Sequence, residues 1–261
     1  MVRRIGVVVL VGVLVPLGAG VARADHEMAM SGHHHHDSSE LSVGVSVEAA
    51  EFDTMLYVGS YQGITPSLGW MHGRFGAVAT LGLYHLTENG LSLYGVGDAM
   101  FAGHATVVAT EALQAGVALH AMIPTGPSPD EFGMGHVMAM PSAWATWSAH
   151  PVRTTASVGY SRAVTALGGA HHDHGSGPLV DPMNMQELTW SAGGDLEVGR
   201  GVQVGGRALG GIPIGTGHTR LIGGGRVAWG TPRVLTAFEL QLGVVGDPFT
   251  IRGVVETSLR F

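Results

Sequence analysis

The chain has 261 residues with 20 acidic and 13 basic side chains, giving a formal net charge of −7. Nucleic-acid binding needs a basic stripe, and this composition excludes one. The sequence contains no cysteine, which excludes disulfides and thiolate metal sites.

Residues 1–24 are predicted to form a secretory signal peptide. Two arginines at 3–4 precede an apolar run at 5–17, and a small-x-small cleavage site ends at Ala24. The alternative is a transmembrane helix, but this run is short for a bilayer core of about 30 Å and is interrupted by proline and glycine. We expect the mature chain to start at Asp25.

Residues 25–40 are polar and lack apolar periodicity, so they are predicted to be a disordered tail. From residue 41 to 261, apolar and polar residues alternate in about twelve segments. The segments are 41–50, 64–71, 74–86, 95–109, 114–124, 136–148, 152–162, 188–198, 202–214, 219–229, 233–244 and 249–261. This pattern predicts the all-β class: one antiparallel transmembrane β-barrel of about 12 strands, the outer-membrane type. A soluble β-sandwich is the alternative.

The connections between these segments differ in length. Five are short, and most of the intervening ones are longer, at 51–63, 87–94, 125–135 and 163–187. Short turns on one side and longer loops on the other are typical of outer-membrane barrels, in which the turns are periplasmic and the loops extracellular. An even strand count then places both termini in the periplasm.

Large aromatic residues are predicted to face outward at two heights, as in the aromatic girdles of membrane barrels. At the short-turn ends these are Trp70, Phe75, Trp147, Trp229 and Phe261, and at the long-loop ends Tyr160, Trp190 and Phe249. Phe261 also closes the last strand, which resembles the assembly signal of Gram-negative outer-membrane barrels. The expected partners are therefore outer-membrane lipid and the barrel-assembly machinery, and the expected location is the outer membrane of a Gram-negative bacterium.

Charged and polar residues fall on the inward parity of the strands. Candidates for the lining of the lumen are Asp98, His104, His120, Arg226, Glu239 and Arg252. Glu239 lies between the strands that carry Arg226 and Arg252, which predicts a charge-neutralising ladder. The ladder either fills a narrow barrel structurally or forms a selectivity constriction.

Methionine and histidine also share the inward parity on three consecutive strands, from Met100 to Trp144. Thioether and imidazole ligands suit copper or silver, whereas the alternative is that methionine fills irregular gaps. Two histidine-rich tracts, one in the tail and one in the longest loop, could bind Cu or Zn weakly or act as hydrophilic spacers. Their candidate ligands are His33, His34, His35, His36, His171, His172, Asp173 and His174. No other cofactor is expected.

Catalysis is not predicted. The sequence has neither a nucleophile elbow nor a metalloprotease motif. An outer-membrane phospholipase needs serine and histidine on the lipid-facing wall, and no outward serine is predicted beside the outward His85. The segment before the first strand is too short for an autotransporter passenger.

The motif at 94–98 (Tyr-Gly-Val-Gly-Asp), followed by Ile-Pro-Thr-Gly at 123–126 and Gly135, resembles an outer-membrane family. It is the "transporter" family annotated for the meta-pathway of phenol degradation. Its pattern is Gly-x-Gly-Asp, Leu-Pro-Thr-Gly and a further glycine, with Ile123 here in place of leucine. The resemblance implies passage of small organic molecules across the outer membrane.

The sequence therefore predicts a small-solute channel or transporter. An outer-membrane metal-binding or metal-tolerance factor that uses the histidine tracts is one alternative, and a non-conducting structural barrel is the other.

Overall fold

The computed structural model describes residues 39–53, 58–125, 132–166, 180, 183–199, 201–246 and 249–261. The predicted signal peptide and nearly all of the predicted tail lie outside these residues and stay predictions. Among the described residues, no helix is long and apolar enough to cross a membrane.

Twelve antiparallel strands form a closed barrel, which confirms the predicted fold class. Each strand pairs with its neighbours in sequence, and β1 pairs with β12 to close the ring. The strands are β1 Ser39–Asp53, β2 Val58–His72, β3 Phe75–Glu88, β4 Leu91–Ala109, β5 Leu113–Ile123, β6 His136–Ala149, β7 Val152–Ala166, β8 Gln186–Gly199, β9 Val202–Pro213, β10 Arg220–Gly230, β11 Val234–Val245 and β12 Ile251–Arg260.

Side-chain alternation decides which residues face the lumen. In β12, Arg252, Val254, Glu256 and Ser258 are buried inside, while the residues between them face out. The outward wall is rich in exposed aliphatic side chains. Examples are Leu68, Val117, Leu119, Val158 and Leu242. This division matches a barrel with lipid outside and polar groups inside.

Several strands extend further than the sequence predicted. β1 begins at Ser39, so residues 39–40 belong to the barrel, where they pair with the end of β2. The predicted loop at 51–63 is mostly strand, leaving only residues 54–57 between β1 and β2. Polar residues and glycines concealed these strand ends because they interrupt the apolar alternation.

The predicted long loop at 87–94 is also wrong. Asn89 and Gly90 have φ values of 48° and 86°, the positive values that a two-residue hairpin with a type I′ turn requires. β3 and β4 therefore pair as far as Glu88 and Leu91. Residues 91–94 lie in the wall of the barrel.

The two ends of the barrel remain different. We call one end of the barrel the turn end. Its five connections are the short turns after β2, β4, β6, β8 and β10. The opposite end is the loop end, and it carries the two longest connections, at 124–135 and 167–185.

The outward aromatics at the turn end lie as predicted. Trp70, Phe75, Trp147, Trp229 and Phe261 are all exposed there. Phe249 does not belong to the loop-end girdle: only 4% of its surface is exposed, and the guanidinium carbon of Arg252 lies 4.5 Å from its ring centroid. The prediction failed because β12 begins at Ile251, so the parity of the strand does not extend to Phe249.

Phe261 is 75% exposed, and its backbone exchanges two hydrogen bonds with Leu41 of β1, the strand that closes the barrel. We expect Phe261→Ser to lower the amount of folded barrel in the outer membrane while export continues, because the predicted signal peptide is a separate segment. Outer-membrane protein levels and heat-modifiable gel mobility measure this.

The matched control is Phe75→Ser, an outward phenylalanine at the same end of the barrel that is 60% exposed. If both substitutions lower the folded fraction equally, the terminal residue has no special role in assembly.

Candidate functional site in the barrel lumen

One side of the lumen carries a hydrogen-bonded network of charged residues. Nε of Arg207 donates to Oε1 of Glu239 over 2.7 Å, and a second guanidinium nitrogen of Arg207 binds Oε2. Nε2 of Gln241 donates to Oε1 of Glu239 over 2.6 Å. Nε of Arg252 donates to Oε1 of Gln241 over 2.7 Å, and its NH1 donates to the hydroxyl of Tyr61 over 3.2 Å. The network thus connects β9, β11, β12 and β2 across the lumen.

This network differs from the predicted ladder. Arg226 lies opposite Glu239 in the backbone register, yet the carboxylate of Glu239 binds Arg207 on β9. NH1 of Arg226 lies 3.6 Å from Oδ1 of Asp195. Strands tilt relative to a barrel axis, so long side chains at one height come from offset registers. Adjacency of strands therefore did not predict the partners.

Two further buried carboxylates have arginine partners. NH2 of Arg220 donates to Oε1 of Glu187 over 2.6 Å, and NH1 of Arg252 lies 3.7 Å from Oε2 of Glu48. Pairing of this kind offsets the cost of removing charges from bulk water.

The loop end of the lumen is filled by an apolar cluster, which we name the plug. Its buried members are Ala50, Phe52, Tyr61, Tyr84, Leu86, Phe132, Val180, Ile222 and Phe249. Phe132 and Val180 belong to the two longest connections, whereas most other members lie on strands. Of these connections, Phe132 and Val180 are therefore buried together with the strand residues at this end.

Hydrogen bonds hold the first of these connections inside. The hydroxyl of Thr125 donates to the carbonyl of Gly97 over 2.6 Å. The backbone N–H of Met134 donates to Oδ2 of Asp98 over 2.7 Å. The acceptors, Gly97 and Asp98, both lie on β4. This strand therefore binds the connection at two points, Thr125 and Met134.

Glycines on β4 make room for the connection. A Cβ on Gly95 would lie 2.2 Å from the ring of Phe132. One on Gly97 would lie 3.2 Å from the carbonyl oxygen of Phe132 and 2.6 Å from the ring of Tyr84 on β3. Gly95, Gly97 and Asp98 are the Gly-x-Gly-Asp residues on which the family resemblance rests. In this protein, that motif seats the connection between β5 and β6 against the lumen wall.

The wall formed by β4, β5 and β6 carries a second cluster, which we name the methionine cluster. Its buried members are Met100, Met122, Met134, Met138 and Met140. His120 is buried close by in sequence, and the ring of His104 lies edge-on to Trp144 with centroids 6.5 Å apart. This wall offers thioethers and imidazoles rather than charges.

The six predicted lining residues all lie on the inner side of the barrel, in two groups. Asp98, His104 and His120 are on β4 and β5, and Arg226, Glu239 and Arg252 are on β10, β11 and β12. Sequence reasoning missed Gln241 and Phe132 as parts of the site. Gln241 shares the parity of Glu239 and could have been found, whereas Phe132 lies in a connection where periodicity gives no information.

The candidate metal ligands at 33–36 and 171–174 lie outside the described residues, so binding of Cu or Zn there stays a prediction. In the part of the chain that the structure describes, no group of three or more His, Asp or Glu side chains is arranged to hold a metal ion.

His85 does have an outward serine beside it, so that sequence-based statement was wrong. Its Nε2 lies 2.7 Å from Oγ of Ser92, its Nδ1 lies 2.9 Å from Oε1 of Gln62, and its ring stacks on Tyr94. Ser92 was missed because its segment was predicted to be loop. Gln62, His85 and Ser92 thus form a polar row on the outer wall. The row lies nearer the loop end than the exposed Leu83 and marks the loop-end edge of the apolar wall.

No known protein family matches the sequence, and no curated protein matches it. Solved structures are similar. An outer-membrane channel from Pseudomonas putida F1 has a TM-score of 0.67 at 11% identity, covering 89% of this chain and 98% of that chain. A KdgM porin has a TM-score of 0.53 at 8% identity, covering 84% and 99%. The translocator domain of the autotransporter NalP from Neisseria meningitidis has a TM-score of 0.52 at 14% identity, covering 92% and 94%. At these identities the similarity shows the fold alone, which is that of an outer-membrane β-barrel.

The network around Glu239 yields a stability prediction. Arg207→Met leaves a buried carboxylate without its bidentate partner, and we expect the free energy of unfolding to fall by about 3 kcal/mol. Denaturant unfolding of the refolded barrel in detergent measures the change.

Arg162→Met on the exposed side of β7 is the matched control, with an expected change within about 0.5 kcal/mol. In a double-mutant cycle, Glu239→Gln should remove most of the loss caused by Arg207→Met. Equal losses for Arg207→Met and Arg162→Met would contradict the network's role.

Proposed function

We propose that this protein is an outer-membrane channel for small solutes and that the plug closes its loop end. The plug carries this proposal, because two of its members, Phe132 and Val180, lie in connections and not in the hydrogen-bonded ladder of the barrel. The similarity of the fold to outer-membrane channels and porins supports the proposal.

The chemistry of the lumen also supports a channel. Charged interiors occur both in conducting pores and in barrels whose lumen is filled by ion pairs, so this lining is compatible with a channel. Here Arg207, Arg226 and Arg252 line one side with paired carboxylates, and His104 and His120 lie on the other. Charged and polar linings are the usual selectivity elements of membrane pores.

The connection between β5 and β6 is the proposed gate. Phe132 occupies the space over Gly95, and the hydrogen bonds of Thr125 and Met134 to Gly97 and Asp98 of β4 hold the segment in place. A hydrogen bond to a charged group contributes roughly 1.5–3 kcal/mol. Release of these two hydrogen bonds would cost less than opening a strand pair, whose backbone ladder holds many more.

For the solute, we propose small organic molecules with a polar group. The resemblance at 94–98 and 123–126 implies small organic substrates. The lumen offers an apolar plug followed by a wall of paired charges, and these surfaces suit a molecule with an apolar body and a polar substituent.

Single-channel recording in planar bilayers tests conduction. We expect the native protein to show brief or small openings and Phe132→Ala to show larger or longer ones, because the substitution removes the aromatic ring over Gly95. Phe101→Ala is the control, since Phe101 faces outward and is 48% exposed. A complete absence of conductance in all three proteins would favour the non-conducting barrel.

The orientation of the barrel is a separate prediction. We expect the loop end to face the outside of the cell, because short turns belong to the periplasm. A protease site inserted in the connection 167–185 should be cut on intact cells, whereas one inserted near Ala112 at the turn end should be protected. Cleavage near Ala112 with protection of 167–185 would invert the orientation.

A further inference from the structure

Three buried methionines form one row across the barrel wall. In the antiparallel register, Met100 of β4 lies opposite Met122 of β5, and Met122 lies opposite Met138 of β6. Directly opposed residues have Cβ atoms about 4.5–5.5 Å apart. Met122 is therefore the neighbour of both Met100 and Met138 on the lumen side.

A fourth thioether comes from the connection between β5 and β6. The backbone N–H of Met134 is bound to Asp98, and its Sδ accepts a hydrogen bond from the backbone N–H of Met183 over 3.4 Å. These two contacts hold Met134 in the cluster with the strand methionines. The cluster thus combines ligand groups from the wall and from the proposed gate.

A cavity lies between the plug and this row. Met100, Met122, Met134 and Asp98 all line it. A ligand in this cavity would meet thioether sulfurs together with a carboxylate.

Asp98 differs from four other carboxylates of the lumen. Glu48, Asp195, Glu187 and Glu239 each have an arginine nitrogen within 4 Å. Asp98 forms no ion pair with any described residue. A partly buried carboxylate without a positive partner gives the cavity negative charge and favours a cation there.

Packing alone does not explain the cluster. Methionine often fills irregular gaps in cores, but the neighbouring plug is built from Phe, Tyr, Leu, Ile, Val and Ala. In the methionine cluster, by contrast, every buried member is methionine. Sulfur is therefore concentrated where the uncompensated carboxylate lies.

A second pair of soft groups lies nearer the turn end, on strands β2 and β4, which flank β3. A Cβ on Gly76 would lie 2.3 Å from Sδ of Met71 and 2.2 Å from Cε1 of His104. The absence of a side chain at Gly76 lets these two groups meet above it. Soft ligands therefore occur at more than one level of the lumen.

We propose that the cavity binds a soft monovalent cation, Cu(I) or Ag(I), through the thioethers of Met100, Met122 and Met134, with Asp98 supplying the balancing charge. Thioethers select soft ions such as Cu(I), whereas hard divalent ions prefer oxygen ligands. This site is distinct from the histidine tracts and does not depend on whether the channel conducts.

The test uses Ag(I) as the probe, because it is soft and stays monovalent in air. Full-length refolded protein is titrated by equilibrium dialysis in chloride-free buffer, and the bound silver is quantified. The test variant is Met100→Leu combined with Met122→Leu and Met134→Leu. Leucine conserves the volume of methionine at a cost usually below about 1.5 kcal/mol per site while removing the sulfur.

The matched control is Met185→Leu, which lies outside the cluster and is 40% exposed. All proteins keep both histidine tracts, so any difference in binding belongs to the lumen. We expect the triple variant to lose one class of bound silver and the control to keep it. Heat-modifiable gel mobility verifies that each protein is folded.

Two further arms keep the test decisive if the triple variant fails to fold. Met122→Leu alone and Asp98→Asn should each weaken silver binding, by about tenfold or about 1.4 kcal/mol. Zn(II) binding should be the same in all proteins. Silver isotherms of the folded variants that coincide with the native one, or an equal loss of zinc and silver, would overturn the proposal.

Discussion

The structure depends on one constraint: inside a bilayer, no water is present to satisfy backbone N–H and C=O groups. A strand protein meets that constraint only when its sheet closes. Here the ladder between β1 and β12 completes the ring, with paired residues from Ser42 and Arg260 to Glu51 and Ile251. Closure then assigns every second side chain to lipid and the others to the lumen. The apolar outer wall and the charged interior are two results of the same backbone pairing.

The lumen contains three regions that differ in chemistry. The charged network on β8 to β12 is held by ion pairs, because Glu187, Asp195 and Glu239 each have an arginine partner and removal of one charge leaves the other uncompensated. The methionine cluster on β4 to β6 is apolar but polarizable. The plug is held partly by a connection rather than by strands. Phe132 of the plug lies outside the strand ladder, and for this reason we propose the connection between β5 and β6 as the gate.

Periodicity in the sequence was sufficient to predict all twelve strands, the outward aromatics at the turn end and the inward position of residues such as Glu239. It failed where backbone geometry departs from simple alternation. The hairpin at Asn89 and Gly90 concealed the outward Ser92, and the late start of β12 turned Phe249 inward. Partners across the lumen, such as Arg207 for Glu239, depend on strand tilt, which a single sequence does not encode locally. The inward path of Phe132 depends on tertiary contacts with β4.

We propose that the hydrogen bond from the backbone N–H of Met134 to Asp98 keeps the loop end of the lumen closed. The natural chain has no cysteine, so a single reporter thiol is unambiguous. Thr65 lines the cavity below the plug and is 3% exposed. We expect a cysteine at position 65 to react slowly with a membrane-impermeant thiol reagent added to intact cells. Adding Asp98→Ala should speed the reaction by about tenfold or more, since a hydrogen bond to a charged group contributes roughly 1.5–3 kcal/mol. Equal rates with and without Asp98 would contradict the account.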